Sequence, residues 1–171
     1  MRHLWLLRHA KSAWDDPSLA DVDRPLAARG IAAAAAMAVY LATSEVRPQL
    51  VLCSGGLRAR QTIAAVLPSV GSDLEVRIEP ELYTFDDDVL LRRLRRVSDE
   101  VRAVLLVGHN PAFQDLALEV SGSGAARDRV AEKLPTCALV TIELPEAPWA
   151  SLSPGDGALT GLVTPRDLSP A

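Results

Sequence analysis

Short apolar segments alternate along the chain with longer segments in which apolar residues recur every three or four positions. The apolar segments have the length of strands and contain few polar residues, which is typical of strands buried on both faces of a parallel sheet. A further segment, 74–78, alternates apolar and polar residues and predicts a strand with one exposed face. The buried strands are predicted at 3–7, 49–53, 103–107 and 137–144.

The periodic segments predict helices between these strands. Asp23 as an N-cap and Pro25 in the first turn indicate the start of a helix that continues through the alanine-rich run 31–42. A cluster of aspartates at 86–88 is a strong capping signal for a later helix. The remaining helical segments are predicted at 57–67, 89–97 and 112–120, with a helical turn at 127–133.

Strands that alternate with helices predict an α/β fold: three layers, α/β/α, around a mostly parallel central sheet. At 171 residues the chain has the size of one domain, and we expect a single domain over residues 1–171. The segment 145–171 is rich in proline, glycine and serine. That composition predicts an edge strand or a tail.

The composition narrows the function classes. The chain is 49% hydrophobic and 23% charged, and no apolar run approaches the roughly 18 residues of a membrane helix or forms a signal peptide. A net charge of −4 argues against a nucleic-acid partner. Cys53 and Cys137 lie in apolar runs without further ligands nearby, which predicts buried thiols rather than a metal site. We therefore expect a cytoplasmic protein, with no membrane partner, that is a monomer or weak dimer.

Polar side chains follow three of the predicted strands. Arg8 and His9 follow the first, Ser54 and Arg58 the second, and His109 a third. Because the carboxyl ends of parallel strands meet at one edge of a sheet, these residues are expected to converge. Guanidinium groups and a helix N-terminus bind tetrahedral dianions, so the predicted ligand is a phosphoryl group. No glycine-rich nucleotide-binding loop is present to explain these residues otherwise.

Three motifs in order resemble the histidine phosphatase superfamily, also called phosphoglycerate-mutase-like. They are the segments 6–12 (LLRHAKS), 54–62 (SGGLRARQT) and 107–111 (VGHNP). The segments 23–26 (DRPL) and 80–83 (PELY) are similar to those of its small SixA-type phosphohistidine phosphatase branch. The matching motifs extend over roughly two thirds of the chain, and the resemblance implies the phosphoglycerate-mutase-like fold.

The resemblance implies a covalent mechanism that needs no cofactor and no metal. His9 is implied as the nucleophile that becomes phosphorylated, and Arg8, Arg58 and His109 as the groups that hold the phosphoryl oxygens. An attacking imidazole must be neutral, so a carbonyl or carboxylate is expected on its far nitrogen. Further candidates for substrate binding are Ser12, Asn110 and Lys11.

The proton donor to the leaving group is open at the level of sequence. The resemblance places an acidic residue at Glu81, which makes this residue the first candidate for general acid. Asp21 and Asp23 are the alternatives. For a phosphohistidine substrate a weak acid suffices, because imidazole is a better leaving group than an alkoxide.

The expected function is a cofactor-independent phosphatase that removes phosphate from phosphohistidine on proteins. The connections between strands are too short to build a large lid, and an open pocket suits a protein side chain. A small-molecule phosphomonoesterase is the alternative, favoured if Lys11, Lys133 or Arg166 lines the entrance. A non-catalytic module that binds phosphorylated ligands is a second alternative, although simple binding requires neither His9 nor His109.

Overall fold

The computed structural model describes residues 1–169 and contains one seven-stranded sheet. The strands follow one another in space in the order β3-β2-β4-β1-β6-β7-β5. Four of the six neighbouring pairs are parallel, and β6 is antiparallel to both β1 and β7. The strands are β1 (Arg2–Arg8), β2 (Leu50–Ser54), β3 (Glu75–Glu79), β4 (Ala103–Gly108), β5 (Ser121–Ser123), β6 (Leu139–Leu144) and β7 (Gly157–Val163).

Helices connect these strands, and the largest cover the two faces of the sheet. They are α1 (Ala28–Thr43), α2 (Leu57–Val70), α3 (Asp87–Leu94), α4 (Ala112–Val120), α5 (Arg127–Glu132) and α6 (Pro165–Leu168). Short 3-10 turns occur at Asp21–Asp23, Pro80–Leu82 and Trp149–Ser151. In the described part of the chain, each helix is too short or too polar to cross a bilayer.

The core is divided into two layers by the sheet. Leu4 and Leu6 of β1 belong to one apolar cluster, together with α3 and α4, whereas Trp5 and Leu7 belong to the other, together with α1 and α2. Alternation along a buried strand places successive side chains on opposite faces. The predicted three-layer α/β/α architecture with a mostly parallel sheet is therefore confirmed.

The start of α1 differs from the prediction. The helix begins at Ala28 with Ala27 as its N-cap, while Arg24 is extended and Leu26 forms an isolated bridge with Ser12. The capping pattern at Asp23 is overridden by long-range contacts, because the guanidinium of Arg24 binds groups in the loop after β1. The residues before α1 are thus held against that loop by hydrogen bonds.

The C-terminal segment enters the sheet. β7 lies between β6 and β5, so it is an inner strand rather than an edge strand or a tail. Trp149 is only 1% exposed, and its indole nitrogen donates a hydrogen bond to the carbonyl oxygen of Val101 at 2.6 Å. Burial of this ring and pairing with β6 explain why a segment of such composition is ordered. The final two residues of the predicted segment lie outside the described residues.

The register of two strands sets the frame of the site. β1 and β4 are neighbours and parallel, with Arg8 opposite Gly108. The next residue on each strand is therefore a histidine at the same edge. His9 also donates its backbone N–H to the carbonyl oxygen of Gly108 at 2.9 Å, which fixes the two strand ends together.

Candidate active site

His9 and His109 lie side by side where β1 and β4 end. Their ring centroids are 5.1 Å apart, and the ring planes are inclined by 50°. Arg58 lies in the first turn of α2, and its Nε is 3.3 Å from Nε2 of His9. His9, Arg58 and Arg8, which lies at the end of β1, border one open hollow of about 240 Å³. The structure thus brings together the four residues expected to bind and transfer a phosphoryl group.

His9 is held as a neutral imidazole with a defined tautomer. Its Nδ1 lies 2.7 Å from the carbonyl oxygen of Ala10, which can only accept a hydrogen bond, so Nδ1 carries the proton and donates it. Nε2 is therefore unprotonated and accepts from Arg58. Burial, reinforced by the positive charges of Arg58, Arg8 and Arg24, lowers the pKa of His9 to about 4 against the opposing effect of the Ala10 carbonyl. The expected orienting group is the backbone carbonyl of the next residue.

Arg58 is fixed by the 3-10 turn before α1. Nη1 donates to the backbone carbonyl oxygen of Asp21 at 2.6 Å, and Nη2 donates to Oδ2 of the same residue at 3.0 Å. The guanidinium also lies 5.7 Å from the ring centre of Tyr83. These contacts hold the planar group beside His9, and a bidentate arrangement of this kind restricts its orientation.

Asp21 joins several site residues through its carboxylate. Arg24 donates to Oδ1 at 2.7 Å, and the hydroxyl of Tyr83 donates to Oδ2. The hydrogen bond from Tyr83 and the contacts with Arg58 and Arg24 lower the pKa of Asp21 to about 2, against the effect of partial burial. This carboxyl is ionised at neutral pH, so it positions cations rather than donating a proton.

Arg8 brings a second guanidinium to the hollow. Nη1 donates to the carbonyl oxygen of Leu134 at 2.8 Å, while Nε is buried and has no hydrogen-bond partner within residues 1–169. Burial and the positive charge of Arg58 lower the pKa of Arg8 from its usual value, yet arginine stays charged in proteins. Two guanidinium groups in one small hollow favour an anionic ligand.

His109 is oriented by Ser54, at the end of β2. Nε2 of His109 is 2.7 Å from Oγ of Ser54, which also accepts the backbone N–H of Gly56 at 3.1 Å. Ser54 is fully buried, and within the described chain His109 is the one acceptor near its hydroxyl hydrogen. The hydroxyl therefore donates to Nε2, and the proton of the imidazole resides on Nδ1.

Nδ1 of His109 is consequently a donor without a partner. It is buried and makes no hydrogen bond in the part of the chain that the structure describes. Burial lowers the pKa of His109 to about 3, and the neighbouring His9 ring and the Arg58 guanidinium act in the same direction. A neutral ring that presents an N–H group can bind an anionic oxygen without protonating the neighbouring His9.

The three residues expected to bind substrate all border the hollow. Ser12 accepts a hydrogen bond from Arg24 through its hydroxyl oxygen. Asn110 donates from Nδ2 to Oε1 of Gln114 at 3.2 Å and to the carbonyl oxygen of Leu134 at 3.3 Å. Lys11 is half-buried and forms part of the lining. Ser12 and Asn110 are thus engaged with protein groups that orient them.

The structure does not bring Glu81 to this site. Glu81 lies in the 3-10 turn Pro80–Leu82, is exposed, and borders a separate hollow with Arg92 and Arg96. The turn buries the side chain of Leu82 in the core, which leaves the preceding carboxylate on the outside. Asp23 is also exposed and does not line the hollow, whereas Asp21 does.

Other residues of the site are not predicted by the sequence pattern. Tyr83 reaches Asp21 from a loop that is distant in sequence, and Arg24 connects Asp21 with Ser12. Two further residues, Trp14 and Phe85, border the hollow. The one sequence signal for Arg24 and Tyr83 is that they lie in the segments 23–26 and 80–83, which resemble the SixA-type branch.

Comparisons with known proteins identify the relatives of this chain. Residues 4–86 match the model of the histidine phosphatase superfamily (branch 1). The uncharacterized protein Rv1276c of Mycobacterium tuberculosis is 38% identical over 164 residues, which cover 94% of this chain and all of that protein. An uncharacterized chloroplastic protein of Arabidopsis thaliana is 32% identical, over 96% of this chain and 78% of its own length.

Solved structures show the same relationship. SixA from Nakamurella multipartitia superposes with a TM-score of 0.83 at 28% identity, over 96% of both chains. The protein histidine phosphatase SixA complexed with tungstate gives 0.78 at 25% identity, over 98% of this chain and 99% of that one. The chain belongs to the histidine phosphatase superfamily. Within that superfamily it is of the SixA type, and this membership supports a phosphatase activity.

Proposed function

We propose that this chain hydrolyses phosphohistidine on proteins and that His9 carries the phosphoryl group between two displacement steps. The observation that carries the proposal is the state of His9. Its Nδ1 proton is committed to the carbonyl oxygen of Ala10, and its unprotonated Nε2 lies beside Arg58. A neutral imidazole with an unprotonated Nε2 in a cationic hollow is suited to attack phosphorus.

In the first step the lone pair of Nε2 forms a bond to phosphorus, and the bond from phosphorus to the leaving nitrogen breaks. The electron pair of that bond remains with the leaving imidazole. Arg8 and Arg58 provide positive charge for the phosphoryl oxygens, and Nδ1–H of His109 provides a further donor. In the second step water attacks phosphorus, the bond to Nε2 breaks, and phosphate leaves while the electron pair returns to His9.

The absence of a protonated acid in the hollow supports a substrate with a phosphorus–nitrogen bond. Within residues 1–169, Asp21 is the one carboxylate that lines the hollow, and it is ionised. A departing imidazole can take its proton from solvent on its second ring nitrogen. An alkoxide has no such second site, so its departure depends more strongly on an acid close to the bridging oxygen.

The shape of the site supports a protein substrate. The hollow is open, and the loops that carry Trp14 and Phe85 border it. A side chain that projects from a folded protein can enter a hollow that is open to solvent. The connections therefore suit a large partner better than a metabolite that must be enclosed.

One observation favours the second candidate, a small-molecule phosphomonoesterase. Lys11 borders the hollow and offers an additional cation near its entrance, whereas Lys133 and Arg166 do not line it. A cation at the entrance could bind a second acidic group of a small substrate. The two candidates share the chemistry at His9 and differ in what surrounds the phosphoryl group.

A comparison of wild type with His9→Ala tests the proposal. Each protein is incubated with a histidine-phosphorylated protein and with a chromogenic phosphomonoester, and acid-labile phosphate on the enzyme is measured after rapid quenching. His3→Ala is the matched control, because His3 lies at the other end of the same strand. We expect turnover and acid-labile labelling in wild type and in His3→Ala, and neither in His9→Ala.

Two results would contradict the proposal. If His9→Ala retains wild-type turnover, His9 is not the nucleophile. If wild type hydrolyses only the phosphomonoester, the small-molecule candidate replaces the phosphohistidine candidate. Binding of a phosphorylated protein without any turnover would instead identify a binding module.

A further inference from the structure

Two exposed aromatic side chains border the entrance of the hollow. Trp14 is 70% exposed and Phe85 is 50% exposed, and both line the same hollow as His9. The other two tryptophans, Trp5 and Trp149, are buried. An exposed indole beside a site is unusual for a core-forming residue and often marks a binding surface.

Trp14 is held in place by a cation on one face. The guanidinium carbon of Arg24 lies 3.2 Å from the centre of the indole ring. Arg24 is itself fixed by Asp21, by the hydroxyl of Ser12 and by the carbonyl oxygen of Ala13. One face of the indole is therefore covered by a rigid group, and its large exposure leaves the other face open to a ligand.

Phe85 is held by contacts with two other aromatic rings. Its ring meets the rings of Tyr83 and His109 edge to face, with centroid distances of 5.7 and 5.9 Å. Trp14 belongs to the loop after β1, and Phe85 to the loop before α3. Two separate loops thus bring one aromatic ring each to the entrance.

The direction of the reaction places the leaving group at this entrance. His9 is 7% exposed and lies inside the hollow. In phosphoryl transfer the attacking and leaving atoms are roughly in line on opposite sides of phosphorus. The leaving group therefore points away from His9, toward the open side that Trp14 and Phe85 border.

We propose that Trp14 and Phe85 form a subsite that stacks against a flat ring on the leaving group. The chemical class is a phosphoryl group attached to a planar heterocycle, of which the imidazole of phosphohistidine is the example. This inference rests on the proposed function and adds a basis for its selectivity. Stacking holds the ring in line with His9, so it contributes to the first displacement step.

Two substrates with the same bond type test the subsite. Phosphoimidazole has a ring on the leaving nitrogen, whereas phosphoramidate has a phosphorus–nitrogen bond without a ring. The ratio of their kcat/KM values is measured for wild type, Trp14→Ala, Phe85→Ala and Trp14→Phe. The control is Val39→Ala, which truncates an exposed apolar side chain on α1, far from the hollow in sequence.

We expect the ratio to fall about five- to tenfold in Trp14→Ala, as for the loss of one aromatic contact, and to a smaller extent in Phe85→Ala. Trp14→Phe, which keeps a ring, is expected to retain most of the wild-type ratio. A merely structural role for Trp14 would lower both kcat/KM values equally and leave the ratio unchanged.

Failure of the two proposals gives different results. If wild type hydrolyses both compounds and the ratio is the same in every variant, the aromatic subsite is refuted while the proposed function stands. If wild type hydrolyses neither compound nor a histidine-phosphorylated protein, the proposed function is refuted, and the subsite with it.

Discussion

Oγ of Ser54 lies 2.7 Å from Nε2 of His109, and this contact determines which nitrogen of the ring carries the proton. Because the hydroxyl donates to Nε2, the ring proton is on Nδ1, a buried atom without a hydrogen-bond partner among residues 1–169. A serine at the end of β2 thereby determines the tautomer of a histidine at the end of the adjacent strand β4.

Substitution Ser54→Ala is expected to lower kcat/KM roughly tenfold, the usual scale for losing a hydrogen bond that supports a catalytic group. Nitrogen chemical shifts of His109 should show a mixture of tautomers in place of the single Nδ1–H form. Ser54→Thr keeps the hydroxyl and should restore the single form. A single Nδ1–H tautomer in Ser54→Ala would show that another group orients the ring.

Stability should decrease in acid because both site histidines are neutral in the folded state. Their pKa values fall from 6.5 to about 4 for His9 and to about 3 for His109. Below pH 6.5 the unfolded chain binds protons that the folded chain does not, so the free energy of unfolding falls as pH decreases toward these lower values. The slope is up to about 1.4 kcal/mol per pH unit for each histidine.

Urea unfolding at pH 7 and pH 5 measures this effect. Wild type should lose more stability between the two conditions than the double variant His9→Asn, His109→Asn, because the variant lacks both titrating groups. Equal losses of stability would mean that the two rings are protonated at pH 5 in the folded protein as readily as in the unfolded chain. Nitrogen shifts of the histidines between pH 7 and pH 5 provide an independent check, with both rings expected to remain neutral.

Asp21 and Glu81 should respond differently to removal of their charge. Asp21→Asn removes the carboxylate that binds Arg58 and Arg24, and we expect kcat/KM to fall ten- to a hundredfold, on the scale of a weakened charged contact. Glu81→Gln is the matched control and should change kcat/KM less than twofold, since Glu81 lies outside the hollow. A large loss in Glu81→Gln, confined to substrates with poor leaving groups, would restore it as the proton donor.

Gly30 permits the close approach of α1 to the loop that follows His9. A Cβ atom at this position would lie 2.0 Å from the carbonyl oxygen of Lys11, which accepts the backbone N–H of Ala27 at 2.9 Å. Gly30→Ala should therefore displace the Lys11 backbone and cost about 1–3 kcal/mol of stability, as overpacking does, with a loss of activity.

Ala35→Gly, at an exposed position of the same helix, separates stability from activity. It should cost about 1 kcal/mol through helix propensity and leave kcat/KM unchanged. Chemical denaturation and steady-state kinetics on both variants provide the comparison. Wild-type activity in Gly30→Ala would show that the loop adjusts without moving His9.

The sequence predicts most of the fold and the centre of the site because both depend on local signals. Each buried strand is a short apolar run, and His9, Arg58 and His109 follow directly where strands end or helices begin. The start of α1 is different. The capping signal at Asp23 is local, whereas the extended conformation of Arg24 depends on partners on the loop after β1.

The supporting contacts could not be predicted for the same reason. The hydrogen bond from Tyr83 to Asp21 joins two loops that are 62 positions apart, and no periodic pattern encodes it. Glu81 is two positions before Tyr83, and only the geometry of the 3-10 turn decides which of them faces the site. The inner position of β7 could not be predicted, because the composition of its segment is typical of loops and its order depends on pairing with β6.

Because Arg8 is aligned with Gly108 in the sheet, the spacing of His9 and His109 and the residues around the hollow can be changed independently. The spacing of the two histidines follows from the fixed distance between hydrogen-bonded strands, about 4.8 Å, rather than from the loops around them. Trp14, Arg24 and Phe85 all lie on those loops. Replacement of these loops is therefore expected to change the surroundings of the hollow while the spacing of His9 and His109, which the sheet fixes, stays the same.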